Sequence, residues 1–334
     1  MRFLRVLCLT AAFLPPWALA QVPSPHAIDI PPWFTEGLLE IPDDVRDAAR
    51  QGKRLMLYFG QDGCPYCKAL MQTNFSQKKI VDKTRRHFVA IALNLWGDRE
   101  VTWTDGRTLS EKELARALKV QFTPTLLFLD ERGAVVVRLN GYYAPHRFEP
   151  VLDYVAGKME KKLPLAEYLA ANARESASPE LADEAFFLKP PYDLRRGRAA
   201  KPLAVLFETP HCSACDELHR EGFKRAEVKR LLAKFDVVRF SLADRAEVVT
   251  PAGAKTNGEA WGRVLGIAYT PSVVFFDGAR EVLRVEAYLR PFHFASALEY
   301  VSSGAYREEP SFQRFIQARA ERMRERGETV DLWK

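Results

Sequence analysis

Residues 54–68 decide the fold, and they read RLMLYFGQDGCPYCK. A run dominated by apolar side chains ends at Gly60, which is typical of a buried strand. Two cysteines, Cys64 and Cys67, then follow with two residues between them. So short a loop removes little entropy from the unfolded chain, and the pair would be a poor structural disulfide. The spacing suits redox exchange, because the second thiol can attack a mixed disulfide formed at the first.

The same pattern recurs later in the chain. Cys212 and Cys215 form a second pair, offset from the first by 148 residues. Two further landmarks recur with offsets of 147 and 146 residues, and so regular a recurrence predicts two copies of one structural unit. These landmarks are Phe122-Thr123-Pro124-Thr125 with Tyr269-Thr270-Pro271-Ser272, and Leu139-Asn140-Gly141-Tyr142 with Val285-Glu286-Ala287-Tyr288.

Each copy is predicted to run strand, helix, strand, helix and hairpin, an α/β pattern with a mixed sheet flanked by helices. Ser110 and Glu113 form a capping box, which predicts a helix start. A helix is also predicted after each cysteine pair and at residues 259–265. The predicted strands are residues 54–59, 88–93, 125–129 and 134–139, then 203–207, 237–242, 272–276 and 281–286.

Composition excludes several classes of protein. The 334 residues are 47% hydrophobic and 28% charged, which is ordinary for a globular chain and unlike a disordered, collagen-like or multi-span membrane protein. The net charge is +6, from 49 Lys and Arg against 43 Asp and Glu, with both signs interspersed. This mixture indicates a solvated surface, so we expect no nucleic-acid partner.

Residues 1–20 are predicted to be a cleaved signal peptide. Arg2 and Arg5 precede a short apolar run, and Ala18-Leu19-Ala20 fits a cleavage site of small residues. The run is too short to span a bilayer, which needs about 20 residues, and Cys8 would leave with it. We therefore expect a periplasmic or otherwise exported protein with no stable membrane span after cleavage.

The domain organisation follows from the repeat. We expect a first domain with an N-terminal extension at residues 21–172, a polar linker at 173–200 and a second domain at 201–306. Residues 307–334 are predicted to form a C-terminal helix, opened by Pro310, and a tail. We expect the apolar face of this helix to dock on its own domain; a partner-binding helix is the alternative.

Of three other interpretations of the cysteine pairs, the sequence disfavours two. A shared zinc site is disfavoured, because 144 residues separate the pairs where about 15 to 20 are usual. Haem attachment needs a histidine after the second cysteine, where this chain has Lys68 and Asp216. The third interpretation, a permanent structural disulfide, remains an alternative for both pairs. We therefore predict neither a metal nor an organic cofactor.

A strand, a C-x-x-C at a helix start and a Thr-Pro about 60 residues later together resemble the thioredoxin fold. The first copy, through Phe59, residues 63–68 and residues 122–125, is similar to SoxW-like exported thioredoxins and to the reducing C-terminal domain of DsbD. The resemblance implies two thioredoxin-like domains in tandem. It also implies a protein thiol–disulfide oxidoreductase without a cofactor.

The resemblance implies roles for eight residues. Cys64 and Cys212 would be exposed nucleophiles at helix N-termini, where free N–H groups and the helix dipole stabilise a thiolate. Cys67 and Cys215 would be buried resolving thiols. The substrate strand would pair with the backbone before a cis proline, which assigns substrate binding to Thr123, Pro124, Thr270 and Pro271.

Three neighbours of the cysteines are candidates for pKa tuning. Lys68 adds a positive charge beside the first pair. His211 could stabilise the Cys212 thiolate or donate a proton, or be an exposed loop residue. Glu208 could accept the proton of the resolving thiol, or face solvent at the end of its strand. The chain departs from ordinary thioredoxins at the family's buried Asp, where it has Tyr58 and Leu206.

The expected function is reduction of disulfides in envelope proteins through two sites, with an upstream protein that recycles the oxidised pairs. Two alternatives stay open. One is a disulfide oxidant or isomerase, because two adjacent sites could act on one misfolded protein. The other is a non-catalytic binding module whose disulfides are permanent.

Overall fold

The computed structural model describes residues 27–172, 177–197 and 200–330. The predicted signal peptide at residues 1–20 lies outside these ranges. Across the described residues, no helix is both long and apolar enough to cross a membrane.

The first copy is built on a four-stranded mixed sheet. Its central strand β1 (Arg54–Gly60) is parallel to β2 (Phe88–Asn94) and antiparallel to β5 (Thr125–Leu129), which pairs with β6 (Val135–Asn140). Every residue of β1 is buried, because helices cover both faces of the sheet. The remaining elements are α1 (Ile41–Arg50), α2 (Pro65–Ala69) continuing as the π-helix Leu70–Asn74, α3 (Lys78–His87), β3 (Glu100–Thr102), β4 (Thr108–Ser110), α4 (Glu111–Ala117), α5 (Pro145–Ala156), the 3₁₀ turn Met159–Lys161 and α6 (Leu165–Ala171).

The second copy repeats this topology. Its strand β8 (Leu203–Glu208) is parallel to β9 (Asp236–Ser241) and antiparallel to β12 (Ser272–Asp277), which pairs with β13 (Arg280–Val285). The two sheets thus have the same strand order, which confirms the predicted α/β fold in tandem. The other elements are β7 (Tyr192–Asp193), α7 (Ser213–Glu217) continuing as the π-helix Leu218–Gly222, α8 (Ala226–Leu232), β10 (Glu247–Val249), β11 (Lys255–Asn257), α9 (Gly258–Val264), α10 (Pro291–Ser302), the 3₁₀ turn Ala305–Arg307 and α11 (Phe312–Glu325).

Local capping explains two helix starts. The N–H of Ser110 donates to the Glu113 carboxylate at 2.9 Å, so the capping box forms as predicted. The C-terminal helix begins two residues later than expected from Pro310. Ser311 is its N-cap and accepts the N–H of Arg314 at 3.4 Å, so Pro310 precedes the cap instead of opening the first turn.

The described part of the predicted linker packs on the second copy. Phe187 is buried and forms a β-bridge with Val237, and Leu194 is buried in the same half of the molecule. Strand β7 pairs with β10. Burial of apolar side chains spaced along a polar segment therefore holds it against the second copy.

The two copies meet through equivalent positions. Asn140 and Glu286 correspond to each other in the repeat, and Asn140 Nδ2 donates to Glu286 Oε2 at 2.7 Å. The ring of Tyr143 packs edge-on against Tyr269, with 5.0 Å between centroids. Their repeat counterparts, Leu289 and Phe122, share one apolar cluster. Contacts between equivalent surfaces indicate an approximate two-fold relation between the copies.

Candidate active site

Cys64 stands at the N-cap of α2, with Pro65 in the first turn. The backbone N–H of Cys67 donates to Cys64 Sγ at 3.1 Å, and the two cysteines form a disulfide across a Cα separation of 5.2 Å. Because the first N–H groups of a helix lack backbone partners, this position stabilises a thiolate once the disulfide opens. Cys67 is fully buried, as expected for a resolving thiol. Cys64 is buried as well, so the expectation of an exposed nucleophile is wrong for the first copy.

The second pair has the same geometry. Cys212 is the N-cap of α7, and the N–H of Cys215 donates to Cys212 Sγ at 3.1 Å. A disulfide joins Cys212 and Cys215, again with 5.2 Å between Cα atoms. Cys215 is buried, whereas Cys212 is partly exposed. Each copy therefore places one sulfur at a helix start and the other within the first turn.

A cis peptide bond lies beside each pair, as the resemblance to the thioredoxin fold implies. The bonds Thr123–Pro124 and Thr270–Pro271 are cis. Cys64 Sγ lies 3.5 Å from the carbonyl oxygen of Thr123, and Cys212 Sγ lies 3.6 Å from that of Thr270. The structure thus brings each predicted substrate-binding dipeptide to its cysteine; substrate binding itself stays a prediction. A third cis bond, Pro190–Pro191 in the linker, was not anticipated.

The predicted tuning residues Lys68 and His211 are both exposed to solvent. His211 has a φ of 56°, and Gly63, at the equivalent position of the first copy, has a φ of 73°. This left-handed conformation favours glycine over residues with a Cβ. The His211 N–H donates to the carbonyl oxygen of Ser178 at 2.8 Å, so the backbone of His211 anchors the linker beside Cys212.

Glu208 is buried, and the alternative that it faces solvent is wrong. His219 Nε2 lies 3.1 and 3.2 Å from its two carboxylate oxygens, and His219 Nδ1 lies 3.2 Å from Glu184. Lys224 Nζ also reaches Glu184, at 3.0 Å. Sequence reasoning missed His219, because the first copy has Met71 at this position. The only signal was its place on the helix that carries the cysteines.

We expect this network to make stability depend on pH. Burial alone lowers the pKa of His219, but hydrogen bonds and charge from Glu208 and Glu184 outweigh it and raise the pKa above its usual value. The raised pKa adds stability that is complete below the unfolded pKa of about 6.5 and is lost as pH rises through the folded pKa.

Urea unfolding at several pH values from 6 to 9 tests this expectation, with His219→Gln as the comparison. The free energy of unfolding of the unaltered chain should contain a component that declines across this window. His219→Gln should lack it. An identical pH slope in the two proteins would contradict the assignment.

The second copy contacts the first site directly. The Tyr66 hydroxyl lies 3.3 Å from His293 Nδ1, and their rings meet edge-on at 4.8 Å. Burial lowers the pKa of His293 to about 4, with a further contribution from the charge of Arg319. A neutral imidazole can accept the Tyr66 O–H. At the repeat-equivalent position, Arg147 contacts Glu217 at 3.4 Å beside the second pair.

The start of α11 also reaches the first site. Gln61 Nε2 donates to Gln313 Oε1 at 3.0 Å and to Thr123 Oγ1 at 3.2 Å. Gln313 Nε2 donates to the carbonyl oxygen of Gln121 at 2.9 Å. The C-terminal helix therefore docks on its own domain and, in addition, contacts the cis-proline loop of the first.

A cavity of about 370 Å³ opens beside Cys64, between the two copies. The corresponding cavity beside Cys212 measures about 70 Å³ and is bounded by α5 and α6 of the first copy. Among the described residues, no group of three His, Cys, Asp or Glu is arranged to hold a metal ion. The walls of the larger cavity include Cys64, Tyr66 and Thr123 from the first copy and Leu289, His293 and Gln313 from the second.

Two mixed sheets of identical order, each with a C-x-x-C at a helix start beside a cis proline, define a tandem thioredoxin-fold protein. The model of the thioredoxin-like domain family matches residues 41–156 and 196–302. The chain belongs to this family. The fold, with two C-x-x-C motifs at disulfide distance, supports thiol–disulfide exchange chemistry.

Solved structures of thioredoxin-fold proteins are similar to parts of the chain. A thioredoxin-fold protein from Helicobacter pylori is 26% identical, over 39% of this chain and 80% of its own, with a TM-score of 0.33. A putative disulphide-isomerase from Bacteroides thetaiotaomicron is 28% identical, over 39% of this chain and 92% of its own, with a TM-score of 0.29. A thioredoxin from Thermus thermophilus is 28% identical, over 36% of this chain and 85% of its own, with a TM-score of 0.29. No curated protein matches the chain.

Proposed function

We propose that this protein is an exported thiol–disulfide oxidoreductase that reduces disulfides in envelope proteins. One observation carries the proposal: at both sites a cysteine sulfur caps a helix and lies within 3.6 Å of the carbonyl that precedes a cis proline. A capping sulfur is stabilised as the thiolate that attacks disulfides. The adjoining loop offers backbone groups beside that sulfur.

The proposed cycle starts from reduced Cys64 and Cys67. The Cys64 thiolate attacks one sulfur of the substrate disulfide, and the other substrate sulfur leaves as a thiolate that takes up a proton. The Cys67 thiolate then attacks Cys64 Sγ, which releases the second substrate thiol and forms the Cys64–Cys67 disulfide. Two electrons pass to the substrate, and a protein dithiol upstream must return them. Cys212 and Cys215 act in the same way on a second partner.

Direction and location rest on sequence features. Reduction follows the resemblance of the first site to SoxW-like thioredoxins and to the DsbD C-terminal domain. Export follows the pattern of residues 1–20. An oxidant or isomerase is the second candidate, because two sites on one chain could act on the same misfolded protein.

Insulin reduction, compared with reactivation of scrambled ribonuclease, tests the direction. We expect the chain from Gln21 onward to accelerate insulin reduction by a dithiol and to reactivate ribonuclease only weakly. The control carries Cys64→Ser with Cys212→Ser and should show the uncatalysed rate. Strong ribonuclease reactivation with weak insulin reduction would favour the isomerase. If thiol trapping shows that both cysteine pairs stay joined as disulfides in the presence of a mild dithiol, the result would favour a non-catalytic binding module with permanent disulfides.

A further inference from the structure

The first site is flanked on two sides by the second half of the molecule. On one side, His293 of α10 contacts Tyr66, which lies between the two cysteines. On the other side, Gln313 of α11 contacts Thr123 and Gln121 in the cis-proline loop. These are the surfaces next to Cys64 that a protein substrate would otherwise meet. Cys64 itself is 5% exposed.

The space left beside Cys64 is small. Its volume of about 370 Å³ is at the low end of the range of about 300–1,000 Å³ that holds small ligands. Tyr142 and Tyr288 contribute to its walls together with Phe122 and Leu289. Aromatic and aliphatic walls suit the side chains of a short peptide segment. The Thr123 carbonyl, 3.5 Å from Cys64 Sγ, offers a hydrogen-bond acceptor to a backbone N–H of such a segment.

The contacts that form this cleft are specific hydrogen bonds and ring contacts. Gln313 has its amide oxygen 3.0 Å from Gln61 Nε2 and its amide nitrogen 2.9 Å from the Gln121 carbonyl, so both ends of the side chain are engaged. Gln313 is buried. A buried amide with both ends bonded holds its neighbours in one arrangement, because breaking either bond leaves a polar group unsatisfied.

We propose that the second domain and α11 make the first site selective for size. Cys64 reacts with a disulfide carried on a short, extended peptide segment and excludes a disulfide fixed on the surface of a folded domain. This inference rests on the proposed exchange activity and uses the same two-electron cycle. The substrate class is therefore an unfolded or mobile chain segment, and Gln313 and His293 set the limit of access.

A graded set of substrates tests the inference. One cysteine peptide is prepared as a mixed disulfide with thionitrobenzoate, whose release is followed by absorbance. It is presented free, joined to a folded carrier by a Gly/Ser linker of about 15 residues that spans roughly 20 Å, or fused directly to the carrier. The chain carries Cys212→Ser and Cys215→Ser, so that only the first site reacts, and is reduced before mixing.

We expect the free and long-linker peptides to react at rates within about twofold, and the direct fusion at least about tenfold more slowly. His293→Ala and Gln313→Ala should each reduce this difference. Glu321→Ala, at an exposed position of α11, should leave it unchanged. A direct fusion that reacts as fast as the free peptide would overturn the size limit while leaving the exchange activity intact. Failure of all three substrates would instead overturn the exchange activity, and the inference with it.

Discussion

Serine in place of Cys64 is expected to abolish exchange at the first site, whereas serine in place of Cys67 should trap substrates as stable mixed disulfides. Cys64 Sγ is the sulfur that caps α2, and only a thiolate there can attack a substrate disulfide. The serine hydroxyl is not ionised near neutral pH, so turnover at the first site should fall to the uncatalysed rate. Cys67 is buried, and its loss leaves the first attack possible but removes the thiol that completes the cycle.

The measurement is the capture of mixed disulfides from cells that express each variant, with the trapped proteins identified by mass spectrometry. The background is Cys212→Ser with Cys215→Ser, so that captured proteins come from the first site. Cys64→Ser serves as the matched control, because it removes the attacking sulfur and keeps Cys67. Capture by Cys64→Ser but not by Cys67→Ser would reverse the assigned order of attack.

The strands and the cysteine geometry were predictable because they depend on short-range patterns. Residues 54–59 form a run of mainly apolar side chains, which is typical of a strand covered on both faces, and β1 is buried throughout. The predicted ends of the eight main strands lie within one residue of those in the structure. The resemblance to the thioredoxin fold, and not a local pattern, implied that the two Thr-Pro loops approach Cys64 and Cys212.

The surroundings of the sites were not predictable, since they depend on contacts between residues far apart in the chain. Gln313 lies 252 residues after Gln61, with which it is hydrogen-bonded. Nothing local marks a glutamine on an amphipathic helix as part of a site on another domain. His219 was equally hidden, because a histidine on a helix is usually solvated. Glu208 was a candidate from the sequence, but nothing local identified His219 as its partner. The repeat offset shows that Asn140 and Glu286 are equivalent, but only the structure shows that they are hydrogen-bonded to each other.

Phe312→Ala should produce the largest loss of stability among the positions that join the two copies. The Phe312 ring is fully buried, with centroids 5.3 Å from Phe122 of the first copy and 5.2 Å from Tyr300 of the second. Truncating a fully buried phenylalanine removes its transfer free energy and leaves a cavity, which costs about 3–5 kcal/mol. We therefore expect the urea midpoint to fall and the melting temperature to drop by roughly 10 °C.

Phe294→Ala separates loss of core from loss of contact between the copies. Phe294 is as buried as Phe312 but packs against Phe223, within the second copy. Both variants should lose comparable free energy of unfolding, while Val264→Ala, at a position 83% exposed, should change it by less than about 0.5 kcal/mol. Only Phe312→Ala should also speed the reaction of Cys64 with the directly fused peptide, because only this variant loosens α11 beside the cis-proline loop. If Phe294→Ala accelerates this reaction equally, access to Cys64 is controlled by general loosening of the second copy and not by the packing of α11 against the first.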